Sequence, residues 1–133
     1  MRHNVTLTIT SLLSILFVTF HLSDEITRGM EPGRLNMVIP VLILGGWAYA
    51  ALMLTGRRSG YIILLLGAII GMGIPIVHMS GAGLVSSRIA NSRAAFFWVW
   101  QNFTLAVISA CSLILALRGL WRLRGAKRMP ENS

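Results

Sequence analysis

Four long stretches of this chain carry no charged side chain: Val5–Leu22, Asn36–Thr55, Tyr61–Met79 and Phe96–Leu117, of 18, 20, 19 and 22 residues. All twelve Lys and Arg and all four Asp and Glu fall outside them. A helix crosses the ~30 Å of bilayer hydrocarbon with roughly 17–25 mostly apolar residues. Each stretch meets that length. Lipid offers the backbone no hydrogen-bond partner, so runs of this kind predict helices; barrel strands would alternate over about ten residues. The pattern predicts an all-α fold, a four-helix transmembrane bundle forming a single domain over 1–133. The spans are approximately 5–22, 36–55, 61–79 and 96–117, followed by a basic tail over 118–133.

Composition agrees. Hydrophobic residues make up 55 % of the chain, charged residues only 12 %, and the mean hydropathy is +0.71. A water-soluble domain of this size cannot bury so much apolar surface, and a disordered chain would not contain it. The first span lacks a small-x-small cleavage site at Phe20-His21-Leu22-Ser23, so it reads as a retained helix and not a signal peptide. Cys111 is the single cysteine, which leaves no internal disulfide and no CxxC pattern.

Charge sets the expected orientation. Arg2, Arg57, Arg58, Arg118, Arg122, Arg124, Lys127 and Arg128 fall on one side of a four-span topology. Arg28, Arg34, Arg88 and Arg93 fall on the other. Both termini are therefore expected in the cytoplasm. Gly56–Gly60 reads as a short connection forcing the second and third spans into a hairpin. Arg118, Arg122, Arg124, Lys127 and Arg128, interleaved with Leu120, Trp121 and Leu123, read as a lipid-facing basic tail that meets anionic head groups. A basic run that abuts a span is a poor nucleic-acid site. Trp98 and Trp100 read as an outer aromatic belt, Trp121 as an inner one, and Trp47 and Tyr49 as core packing.

Small and polar residues mark the inward faces. Ser11, Ser14, Val18, His21 and Glu25 follow one another at spacings of three and four. Gly60, Leu64, Gly67, Gly71, Ile74 and His78 do the same in the third span, where Gly67-x-x-x-Gly71 predicts close helix packing. Spans one and three run in the same direction, so His21 and His78 reach one end of the bundle at similar depth. One further helical turn would bring Asp24 and Glu25 beside His21, and Gln101 and Asn102 start the fourth span from the same end.

Three readings compete for this convergence. His21, Asp24, Glu25, His78 and Gln101 form a polar lock holding the helix ends together, or a ligand site. As a metal site, His21, Glu25 and His78 supply nitrogen and oxygen ligands to a divalent ion. As a haem b site, the two histidines are the axial ligands. The lock leads, and with it a non-enzymatic accessory or structural membrane component, alone or in a homo- or hetero-oligomer. The alternative is a metal- or haem-binding membrane protein whose site faces outward.

The segments FHLSDEITRGMEPG (20–33), RRSGYIILLLG (57–67) and GIPIVHMSG (73–81) resemble uncharacterised small four-span bacterial inner-membrane proteins. That resemblance implies a multi-pass protein of the bacterial plasma membrane and carries no known activity. The small multidrug transporters, which are of similar size, hold a carboxylate within the first span; no span here has one. The lone cysteine excludes a quinone-coupled thiol oxidoreductase.

Overall fold

A computed structural model of the chain describes residues 2–27, 38–80 and 93–126. They form four helices: α1 (Arg2–Thr27), α2 (Val38–Met53), α3 (Arg58–Ser80) and α4 (Ala95–Ala126). The described residues contain no strand, and α1, α3 and α4 are each long and apolar enough to cross a membrane. The second helix is the exception at 16 residues, two shorter at each end than the expected span. At its start, residues 36 and 37 lie outside the described set. At its end a tight turn intervenes: the Arg57 amide donates to the Leu54 carbonyl at 3.0 Å, and Gly56 takes φ +93°. That left-handed conformation favours glycine. Ser59 and Gly60, expected in the connection, already belong to α3. A Cβ at Gly60 would strike the Leu54 carbonyl, which is why the turn closes so tightly there.

α1, α3 and α4 pack together, and α2 lies against α1 and α3, adding Trp47, Ala50 and Ala51 to the core. The register is regular. Tyr61 donates to Asn4 (2.6 Å) and His78 meets His21 (3.0 Å), so α3 runs beside α1 with a constant offset of 57. Ser109 donates to Ser14 at 3.3 Å, Trp98 meets His21 and Gly119 meets Tyr61, so α4 runs antiparallel to both. Six layers follow, roughly one 5.4 Å turn apart: Asn4–Tyr61–Gly119, Leu7–Leu64–Ala116, Ser11–Ala68–Ser112, Ser14–Gly71–Ser109, Val18–Pro75–Leu105 and His21–His78–Asn102. All of these residues are buried except Asn4 and His78, which are partly so.

Small residues make this closeness feasible, because in lipid helices associate by van der Waals contact and hydrogen bonds instead of the hydrophobic effect. A Cβ at Gly67 would fall on the Trp47 indole of α2, one at Gly71 on Ser109 Oγ, and one at Gly119 on the Tyr61 ring. The expected packing face of α3 is therefore present at Gly67 and Gly71. On α1 the buried residues are Leu7, Ser11, Ser14, Val18 and His21; four of them belong to the stripe read from the sequence, Leu7 extends it, and Glu25 is partly buried.

Two expectations shift. Arg118–Ala126 is not a separate tail but the last turns of α4, and Leu120 and Leu123 pack against the core. Leu, Arg, Trp and Ala sustain a helix, and proline first follows at 130. Arg118, Arg122 and Arg124 are exposed there; Lys127 and Arg128 lie outside the described residues. Tyr49 was expected in the core, yet it is 58 % exposed on the outer face of α2. Trp47, two residues earlier, points the other way and fills the groove over Gly67.

Candidate metal centre

His21 and Glu25 stand one turn apart on α1, on the same face, because the helix continues past the apolar run to Thr27. His78 reaches them from α3, three residues after the buried Pro75. Three ligand-type atoms converge: Nε2 of His21, Nε2 of His78 and Oε1 of Glu25. The imidazole nitrogens are 3.0 Å apart, and the carboxylate oxygen lies 3.3 Å from His21 and 3.2 Å from His78. The Glu25 side chain is only 13 % exposed.

Protons hold this triangle only in part. Each Nε2 carries at most one hydrogen: if both donate to Glu25, the edge between the imidazoles has no hydrogen bond, and if only one nitrogen is protonated, one edge to Glu25 or the edge between the rings is left without one. A cation inside the triangle satisfies all three atoms together. Ligands at 2.0–2.1 Å from a tetrahedral ion stand about 3.3–3.4 Å apart, close to the observed edges. The two-nitrogen, one-oxygen set suits zinc or a neighbouring transition metal; magnesium and calcium prefer oxygen throughout. Haem fits poorly. Axial nitrogens on opposite faces of a haem iron stand about 4 Å apart with the porphyrin plane between them, and 3.0 Å leaves no room for it.

Trp98 of α4 packs against both imidazoles. Its ring centroid lies 4.9 Å from that of His21 and 5.1 Å from that of His78, and its side chain is fully buried. This corrects the aromatic-belt reading of Trp98; Trp100 is 54 % exposed. A signal was available: Trp98, Leu105, Ser109, Ser112, Ala116 and Gly119 form a stripe of three-, four- and seven-residue steps along α4. Trp98 begins it.

The remaining candidates separate. Asp24 does not join the triad. It lines a shallow groove of about 250 Å³ with Phe20, Ser23, Thr27 and Phe97. On a helix the i+4 position returns close to the starting face, whereas the i+3 position falls on its other flank, so Glu25 and not Asp24 meets His78. Gln101 is 1 % exposed in the turn after Trp98, and neither amide atom has a hydrogen-bond partner among the described residues. Comparison with protein-family models, curated proteins and solved structures returns no match.

Proposed function

We propose that this chain is a multi-pass protein of the bacterial inner membrane that holds one transition-metal ion, with zinc the best fit. Its ligands are His21 Nε2, Glu25 Oε1 and His78 Nε2, at the outward-facing end of the bundle. The observation that carries this reading is the ligand triangle, whose edges of 3.0, 3.2 and 3.3 Å suit a tetrahedral ion, where protons alone leave at least one edge without a hydrogen bond. The bias of basic residues supports termini in the cytoplasm, which turns the triad outward. Because the ligands come from α1 and α3, the ion clamps two helix ends together. The structural role read from the sequence and the metal site thus coincide. Three protein ligands leave a fourth position for water or an incoming group, and no catalytic residue is assigned.

Elemental analysis of protein purified without chelator tests this reading. The expected result is close to one zinc or similar ion per chain, lost in His21→Ala and in His78→Ala. Metal-free protein that also takes up none on titration would leave a purely hydrogen-bonded lock.

A further inference from the structure

Beside the triad lies a second group of polar atoms that the ion does not use. His21 Nδ1, both amide atoms of Gln101 and Oδ1 of Asn102 are all buried, without a hydrogen-bond partner among the described residues. Gln101 and Asn102 are each 1 % exposed. Their positions bring them to one level of the bundle: the register sets Asn102 level with His21, Gln101 precedes it in the chain, and Trp98 one turn away touches the His21 ring. The orientation of Asn102 is fixed chemically. Its Nδ2 donates to the Trp98 carbonyl at 2.9 Å, and since a carbonyl only accepts, Oδ1 is left as an acceptor.

Resting on the metal reading, we propose that Gln101 and Asn102 form the outer shell of the site, joined to His21 Nδ1 by ordered buried water. When Nε2 binds a metal, Nδ1 must carry the ring proton, and that N–H needs an acceptor to hold the tautomer and the ring angle. The group offers donors at His21 Nδ1 and Gln101 Nε2 and acceptors at Gln101 Oε1 and Asn102 Oδ1. Water, which donates two bonds and accepts two, complements that set, and buried water commonly makes about three such bonds. Gln101 is thus a positioning residue: it acts on the ion through the imidazole.

Two measurements test the proposal. The first needs no metal. In isotope-labelled protein in detergent micelles, the Gln101 side-chain amide should show magnetisation transfer to a long-lived water; a dry amide overturns the proposal. The second is zinc affinity by chelator competition. Gln101→Met, similar in volume but lacking both amide atoms, should bind zinc about 10–100-fold more weakly. Gln101→Glu, which keeps an acceptor, should stay within about threefold of the parent or bind more tightly. The nitrogen shifts of zinc-loaded His21 should report a protonated Nδ1 in the parent and a disturbed ring in Gln101→Met. Equal affinity for parent and Gln101→Met, with unchanged shifts, overturns the outer-shell role. If the parent binds no zinc while the water signal persists, the metal reading fails and the hydrated layer stands.

Discussion

Trp98 shows how one side chain can be read correctly in kind and wrongly in place. An indole near the start of a membrane helix usually lies at the lipid interface, where its N–H meets water. Here its burial follows from the α4 stripe, which turns position 98 inward onto two imidazoles. Trp98→Ala should therefore cost about 3–5 kcal/mol by opening a cavity, where Trp100→Ala, at an exposed position, should cost far less. Comparable losses in denaturant titrations of the two variants would restore Trp98 to the belt. His21 and His78 are coupled more directly, at 3.0 Å. The double alanine variant should lose less stability than the two single variants added together, with a coupling of about 0.5–3 kcal/mol. Strict additivity would mean that the rings touch without depending on each other.

At the scale of the helices, α1 and α3 were legible before any coordinates, and the reason is physical. Each has one face of small or polar residues in an otherwise bulky apolar run, and in lipid that face has only other helices to meet. The matched positions of His21 and His78 then followed from counting residues in parallel spans. α2 was less legible. It is apolar all round, so nothing in its pattern told Trp47 from Tyr49, and only contact with Gly67 sorts one inward and the other out. The same logic makes Gly71 a sensitive position. Its missing side chain admits Ser109 Oγ, so Gly71→Leu should separate α3 from α4 and cost about 1–3 kcal/mol or more by overpacking. Ile70→Leu, on the exposed side of the same turn, is expected to be nearly neutral. Thermal melts in one detergent compare them, and equal tolerance would place the glycine face against lipid.

For the molecule as a whole, the charge distribution and the site make one arrangement. Counted along the sequence, a four-span topology would set eight basic residues on the side of the termini against four on the other, while the His21–Glu25–His78 triad stands at the opposite end of the bundle from Asn4 and Tyr61. Reporter fusions after Gly33 and after Arg128 should consequently report opposite sides of the membrane, the first outside and the second in the cytoplasm; the same side for both rejects the four-span topology. The depth of the triad was read from residue counts, but its ligand distances were not, because side-chain geometry has no trace in spacing alone. Those distances carry the central claim. X-ray absorption at the zinc edge of the loaded protein measures them most directly. Two nitrogen and at least one oxygen scatterers at about 2.0–2.1 Å are expected, with the signature of two imidazoles, and that spectrum should be absent in His78→Ala, which no longer retains the ion. A spectrum without imidazole, or one unchanged by His78→Ala, would contradict the account.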